Sequence, residues 1–256
     1  MDKRALITGA SSGIGAALAG QLAAQGYTLF LTGRNPAALE QVAGTLHCRC
    51  LALDLAREAD LAILEEEMRA FGPDVLINNA GLGQLGDLLT MDPARAEEIV
   101  RVNCLALTRL LQTGLRGMQD RERAYILNVA SVAGLLPAGP HMAVYYASKA
   151  YVTSLTLAAR QEMRERRSGI SISALCPGPV NTRFNERAGV SRPLKGLEAE
   201  TVARVALRGL FRGKALIVPG MAVRASVFLW RLLPRELYAG LISRQQAKKG
   251  IKEGDR

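Results

Sequence analysis

The chain has 256 residues, of which 49% are hydrophobic and 22% are charged, and this length suits one large α/β domain. The formal net charge of +10 would suit a nucleic-acid ligand, but the basic residues are scattered along the chain, which is typical of solvated helix faces. Four cysteines without CxxC spacing and two histidines offer few metal ligands, so we predict neither a metal centre nor a nucleic-acid partner.

The beginning of the chain shows no pattern typical of export. The apolar run 5–7 is too short for the core of a signal peptide, and no small-residue cleavage pattern follows it. We therefore predict a cytoplasmic protein with reduced thiols.

Short apolar runs alternate with amphipathic segments along the chain. Strands are predicted at 4–8, 28–32, 48–53, 75–78, 124–129, 170–176 and 215–218, and helices at 14–25, 36–46, 59–71, 92–116, 145–166 and 199–211. Parallel neighbours in a sheet need crossover connections, so this alternation predicts a single doubly wound, Rossmann-type parallel sheet of about seven strands with helices on both faces. Ligands of such sheets bind beyond the carboxyl ends of the strands.

The loop between the first strand and the first helix has glycines in the pattern G-x-x-x-G-x-G. Glycines allow a tight turn and let a diphosphate approach the backbone N–H groups at the start of the helix. A glycine turn without any ligand is the alternative, but the position between a strand and a helix favours phosphate binding. The residues predicted to bind there are Gly9, Ser11, Ser12, Gly13, Ile14 and Gly15.

The end of the second strand, where an adenosine ribose would lie, reads Thr32-Gly33-Arg34-Asn35. An acidic residue there would bind a free 2′-hydroxyl and repel a 2′-phosphate, but none is present. The guanidinium of Arg34 is instead suited to a phosphate. We therefore predict NADP(H) as the cofactor, with an ordinary surface arginine as the alternative interpretation.

Residues 145–149 read Tyr-Tyr-Ala-Ser-Lys and open a predicted helix. Side chains four residues apart share a helix face, so Tyr145 and Lys149 are neighbours. A nearby ammonium favours the phenolate, so we expect Lys149 to lower the pKa of Tyr145 and make its hydroxyl a usable acid or base.

Together these motifs resemble the short-chain dehydrogenase/reductase family, and the resemblance runs from Thr8 to about Val218. Further motifs follow in the right order after successive strands: Asn78-Asn79-Ala80-Gly81, Asn103, Ser131, and Pro177-Gly178-Pro179-Val180-Asn181-Thr182.

The resemblance implies an oxidoreductase that transfers a hydride between NADP(H) and a carbonyl or secondary alcohol of a small, apolar substrate. It implies that Tyr145 donates the proton in reduction, Ser131 hydrogen-bonds the substrate oxygen, Lys149 binds the nicotinamide ribose, and Asn103 holds a water in a proton relay. It also implies a homodimer or homotetramer, often formed through the helices that contain Asn103 and Tyr145. Further cofactor contacts are expected from Asp54, Leu55, Asn79, Ala80, Gly81, Pro177, Gly178, Val180 and Thr182.

Three residues near these motifs have alternative interpretations. Tyr146 lies three residues before Lys149 and is a rival for Tyr145. We interpret His141 as a loop residue near the pocket rim rather than a general base, and Cys176 as a buried strand residue.

The end of the chain lies outside the motifs. We divide it into a domain at 1–220 and an amphipathic C-terminal extension at 221–256, and 183–197 is a candidate lid over the substrate. Arg224, Arg231 and Arg235 and the helix breaker Pro234 interrupt an apolar segment that includes Trp230, Leu232 and Leu233, which excludes a membrane span. Packing on the same domain or a partner subunit is favoured, with peripheral membrane contact through 221–249 as the alternative.

Two other functions remain open from the sequence: a catalytically idle regulator that binds NADPH, and a membrane-peripheral scaffold. The joint presence of Ser131, Tyr145 and Lys149 favours the enzyme, because neither alternative needs a proton donor.

Overall fold

A computed structural model describes residues 3–230 and 234–250 of the chain. Seven of its strands pair in parallel into one sheet, and two short strands pair separately. The strands of the described residues are β1 (Arg4–Thr8), β2 (Thr28–Gly33), β3 (Arg49–Ala52), β4 (Val75–Asn78), β5 (Ala124–Val129), β6 (Ile170–Leu175), β7 (Val180–Asn181), β8 (Leu197–Glu198) and β9 (Leu216–Ile217).

The strand order in the sheet is β3-β2-β1-β4-β5-β6-β9, and β7 pairs with β8. Strands β2 and β3 lie on one side of β1, and β4 begins the part of the sheet on its other side. A doubly wound sheet binds its ligands at such a switch point. The glycine turn after β1 and the Asn79 segment after β4 therefore lie side by side. The predicted fold class, a parallel Rossmann-type sheet of about seven strands, is confirmed.

Helices cover both faces of the sheet. The helices of the described residues are α1 (Gly13–Ala23), α2 (Pro36–Leu46), α3 (Glu58–Phe71), α4 (Pro93–Val100), a π-helix (Arg101–Ala106), α5 (Leu107–Met118), a 3₁₀ helix (Val132–Leu135), α6 (Ala143–Glu165), α7 (Phe184–Arg187), α8 (Ala199–Phe211), α9 (Met221–Trp230) and α10 (Arg235–Ala247).

Successive residues of a strand point to opposite faces, and this alternation builds two cores. In β1, Ile7 joins the core beneath α1, α2 and α8, whereas Leu6 joins the core beneath α3, α5 and α6. Both residues are fully buried. The sheet is therefore a rigid support for the loops at its carboxyl edge.

The predicted helix 92–116 is interrupted. It consists of α4, the π-helix and α5, and Asn103 lies within the π-helix. A π-turn inserts one extra residue per turn, and such turns are frequent at functional sites. The hydrophobic period across 92–116 gave no sign of this interruption.

The C-terminal segment forms two helices rather than one, and Pro234 is the N-cap residue of α10. Tyr238, Ile242 and Gln246 are buried at four-residue spacing, so one face of α10 packs on the domain. Arg231, Leu232 and Leu233 lie outside the described residues. The described helices include none that is long and apolar enough to cross a membrane. The division at residue 220 and the membrane contact through 221–249 stay predictions.

Candidate active site

One cavity of about 910 Å³ opens at the carboxyl edge of the sheet. It runs from Arg34 and Asp54 at one end, past the glycine turn, to Tyr145 and α10 at the other. The predicted residues that line it are Gly9, Ser11, Ser12, Gly13, Ile14, Arg34, Asp54, Leu55, Asn79, Ala80, Gly81, Ser131, Tyr145, Lys149, Pro177, Gly178, Val180 and Thr182. Gly15 and Asn103 are the predicted residues that lie behind its wall.

The glycine turn is closely packed against the loop after β4. Gly9 has a φ of +65°, and a Cβ atom there would lie 2.8 Å from the Cα atom of Ala80. A Cβ atom at Gly15 would collide with the carbonyl oxygen of Gly9. The Asn79 side chain donates to the carbonyl oxygens of Thr8 and Gly9, at 3.0 Å each. Asn79 and Gly15 therefore shape the turn that lines the cavity at the start of α1.

At the end of the cavity where the sequence predicts the adenosine ribose, Arg34 donates through Nη1 to Oε1 of Glu98, 2.6 Å away. The same carboxylate also pairs with Arg95. Two guanidinium groups thus share one carboxylate, so these three side chains together carry one net positive charge. Asp54 lines the cavity nearby and accepts from the backbone N–H of Ala56 at 3.1 Å.

The predicted proton donor, Tyr145, lies on the first turn of α6 and faces the cavity. Burial raises its pKa to about 12, and a hydrogen bond with Ser131 only partly opposes this shift. The expectation that Lys149 lowers the pKa of Tyr145 is therefore wrong for the protein alone. The Lys149 Nζ atom is 5.9 Å from the centroid of the Tyr145 ring and donates to the carbonyl oxygen of Val129 at 2.9 Å.

Lys149 is itself buried, and burial lowers its pKa to about 8. The thiols of Cys104 and Cys176 oppose the shift, but neither provides a full negative charge, because the pKa of each thiol is raised by its own burial. The amine therefore changes charge near the physiological range.

Asn103 is fully buried in the π-helix and holds the loop beside the reacting end. Its Oδ1 accepts from the backbone N–H of Leu82 at 2.8 Å, and its Nδ2 donates to the Leu82 carbonyl oxygen and to Ser148 Oγ, both at 2.9 Å. A Cβ atom at Gly81 would lie 3.0 Å from Lys149 Nζ and 3.3 Å from Asn103 Oδ1. The structure thus brings Asn103 close to Lys149. The water relay through Asn103 stays a prediction.

The rival residues have other partners. The Tyr146 hydroxyl accepts from Gln246 Nε2 at 2.8 Å, whereas Tyr145 is the tyrosine that pairs with Ser131. The His141 Nε2 atom lies 3.2 Å from Ser243 Oγ of α10, and neither residue lines the cavity. Cys176 is fully buried just after β6.

The candidate lid 183–197 contributes two contacts that its sequence did not indicate. The Arg187 Nη2 atom donates to Ser12 Oγ at 2.6 Å, on the glycine turn. The Phe184 ring lies 5.4 Å from the ring of Tyr145, centroid to centroid. One short helix, α7, therefore touches both the glycine turn and Tyr145, through contacts that span up to 175 residues of sequence.

The sequence profile of the short chain dehydrogenase family matches residues 3–192. The chain belongs to the short-chain dehydrogenase/reductase family. Dehydrogenase/reductase SDR family member 11 of Bos taurus is 34% identical over 230 residues, which cover 80% of this chain and 89% of that protein. The family consists of oxidoreductases that act on CH–OH and C=O groups.

Two solved structures of family members resemble this one closely. A short-chain dehydrogenase from Sphingobium yanoikuyae in complex with NADPH has a TM-score of 0.82 and 31% identity, and the match covers 98% of this chain and 97% of that one. A short chain dehydrogenase/reductase from Burkholderia phymatum in complex with NAD has a TM-score of 0.80 and 28% identity, with 89% and 92% covered. Both nicotinamide cofactors thus occur among similar structures.

Proposed function

We propose that this protein is an NADP(H)-dependent oxidoreductase that interconverts a ketone or aldehyde and the corresponding alcohol, with Tyr145 as the proton donor and acceptor. The observation that carries the proposal is the convergence of Ser131, Tyr145 and Lys149 at one end of a single cavity. A proton donor, a hydrogen-bond donor and a cation are the groups that carbonyl reduction requires.

The residues present fit a dinucleotide. The cavity joins a turn of backbone N–H groups at the start of α1 to a pair of arginines at one end and to Tyr145 at the other. Six basic side chains line it, whereas Asp54 is its acidic lining residue. Such a lining favours a ligand with several negative charges, as a dinucleotide has.

When bound, the nicotinamide supplies the hydride in reduction or accepts it in oxidation. In reduction, the Tyr145 hydroxyl gives its proton to the carbonyl oxygen as negative charge develops there, and the Ser131 hydroxyl donates a hydrogen bond to the same oxygen. The protonated phenol is the form that this step needs, and the high pKa of Tyr145 keeps it protonated at neutral pH. Oxidation needs the phenolate, and a nearby ammonium such as that of Lys149 favours this form.

Lys149 gives cofactor binding an expected pH dependence. Its ammonium attracts an anionic dinucleotide, and raising the pH through the pKa of about 8 removes that charge. The Kd for NADPH should therefore stay constant near pH 7 and rise above about pH 8, by at most about tenfold per pH unit. The Kd at each pH is measured by titrating NADPH with the protein and following the NADPH fluorescence. Lys149→Met should bind more weakly and lose this pH dependence, and a wild-type Kd that stays flat up to about pH 10 would contradict the assignment.

Arg187 should bind the diphosphate of the cofactor, because its guanidinium already lies on the Ser12 hydroxyl beside the glycine turn. Ser12 is the N-cap residue of α1, but its side chain makes no capping hydrogen bond, so the hydroxyl is available to this contact. Arg187→Ala should raise the Kd for NADH and NADPH by the same factor, about three- to tenfold, because both cofactors share the diphosphate. Arg187→Lys should retain part of the affinity, and an effect on NADPH alone would assign Arg187 to the 2′-phosphate instead.

The remaining partner predictions rest on exposed side chains. Val100 and Leu105 are exposed on the interrupted helix 92–116, which contains Asn103, and Tyr151 and Leu157 are exposed on α6, which contains Tyr145. An apolar surface on these two helices suits the proposed homodimer or homotetramer.

The four cysteines are unpaired, which suits the proposed cytoplasmic location, a reducing compartment.

The decisive test is a panel of ketones and aldehydes assayed by the loss of NADPH absorbance. We expect turnover with apolar carbonyl compounds, because apolar side chains line the reacting end of the cavity. Tight NADPH binding without turnover of any compound would instead favour the idle regulator. No binding of NADPH or NADH would overturn the proposal entirely.

A further inference from the structure

The far end of the cavity, beyond Tyr145, is closed by the C-terminal part of α10 and the residues that follow it. Gln246 on α10 is hydrogen-bonded to Tyr146, the neighbour of Tyr145. Lys249 lies one helical turn further on, with its backbone N–H donating to the Gln246 carbonyl oxygen at 2.9 Å. Both residues line the cavity. Lys249 is therefore at the substrate end, away from Arg34 and Asp54.

The backbone of Lys249 is fixed from two sides. Its carbonyl oxygen accepts from the backbone N–H of Arg192 at 2.8 Å and from Ser191 Oγ at 3.2 Å. Residues 191 and 192 belong to the candidate lid. The lysine thus lies where the lid meets α10, and these hydrogen bonds hold its backbone in place.

The ammonium of Lys249 has no carboxylate partner among residues 3–230 and 234–250. The side chain is partly buried, and burial lowers the pKa of Lys249; no negative charge in the described part of the chain offsets the shift. Taking a cation out of water without a counter-charge costs free energy, and an anion placed beside it would recover that cost. The acidic residue of the cavity lining, Asp54, is at the opposite end.

The C-terminal segment and the loops at the Tyr145 end give the cavity wall apolar residues beside the polar Ser226, Gln245 and Gln246. The apolar lining residues of this region are Leu136, Met142, Leu194, Val223, Val227 and Ile242. A chain or ring of carbon atoms would fit between the reacting end and Lys249, since such a wall gains free energy from contact with apolar groups.

We propose that Lys249 binds an anionic group, a carboxylate or a phosphate, at the end of an apolar substrate remote from its carbonyl. The binding of an anion by Lys249 does not depend on the proposed carbonyl-reductase function, whereas its effect on turnover does. It narrows the substrate class to carbonyl compounds with a hydrophobic body and a terminal negative charge. It also gives the C-terminal segment a direct role in substrate recognition.

Binding and turnover are tested separately. Octanoate and octyl phosphate carry the anion and the apolar chain but no carbonyl, and octanol is their neutral counterpart. In calorimetric titrations, at least one of the two anions should bind the wild-type protein about tenfold more tightly than octanol, and Lys249→Met should remove this preference. Comparing the two anions distinguishes a carboxylate site from a phosphate site. Equal binding of both anions and octanol would overturn the proposal, whatever the protein catalyses.

The kinetic arm uses (ω−1)-oxo acids, which are methyl ketones, of increasing chain length, such as 4-oxopentanoate and 8-oxononanoate, with their methyl esters. For the best acid, Lys249→Met should lower kcat/KM by about 10- to 100-fold and leave the ester unchanged, whereas Lys249→Arg should retain most of the rate. Lys248→Met is the matched control, because Lys248 is exposed and absent from the cavity wall. An equal effect on acid and ester would overturn the proposal. Failure to reduce any compound, with anion binding intact, would overturn the reductase function alone.

Discussion

Replacing Tyr145 by phenylalanine should lower kcat by roughly 10²- to 10⁴-fold and leave the Kd for NADPH nearly unchanged. The substitution removes one hydroxyl and keeps the ring, which packs against Phe184 and Tyr146. The wall of the cavity is therefore preserved, so the decrease in kcat reports the loss of proton transfer alone. Single-turnover kinetics with a reducible ketone measure the chemical step, and NADPH fluorescence measures binding.

Tyr151→Phe is the matched control for this experiment. Tyr151 is on the same helix, but its hydroxyl pairs with Thr108 at 2.8 Å and it does not line the cavity. The control should retain full turnover. An active Tyr145→Phe variant together with an inactive Tyr146→Phe variant would reverse the assignment of the proton donor.

Replacing Arg34 by alanine should lower kcat/KM with NADPH by about 10- to 100-fold and change kcat/KM with NADH much less. The physical reason is that only NADPH carries the 2′-phosphate that the guanidinium would contact. The wild-type protein should accordingly prefer NADPH, and the ratio of the two kcat/KM values before and after the substitution measures the preference.

The control for Arg34 is Arg49→Ala. Arg49 also forms an exposed ion pair, with Glu67 at 2.7 Å, but it lies outside the cavity, so its loss should leave both cofactors unaffected. Equal or better kcat/KM with NADH in the wild-type protein, or no loss in Arg34→Ala, would remove the claim of NADP specificity.

The sequence was sufficient to predict the order and type of the elements, because the strands of the sheet are short apolar runs and the glycine turn, the Asn79 segment, Ser131 and the Pro177 segment each follow a strand. Strand β1 is found at the predicted bounds, and the glycine turn follows it. Eighteen of the predicted site residues line one cavity for the same reason, since parallel strands end at one edge.

Other features depend on contacts between residues that are distant in the sequence, and local sequence patterns do not predict such contacts. The pairing of Arg34 with Glu98 joins residues 64 positions apart. The pKa of Tyr145 was mispredicted because helical spacing gives proximity to Lys149 but does not give the burial of both groups, which dominates. The Arg187 contact was missed because a short polar loop has no periodicity to analyse.

The helix α7 has a further consequence. Phe184 and Arg187 are three residues apart and therefore project from the same side of its single turn. If this turn swings outward to admit a substrate, the phenyl ring leaves Tyr145 and the guanidinium leaves Ser12 in the same movement. A dinucleotide held by that guanidinium would resist the swing, so the entry of the second reactant is mechanically tied to occupancy by the first. A bound nucleotide would therefore slow both the entry and the departure of any substrate that passes beneath α7.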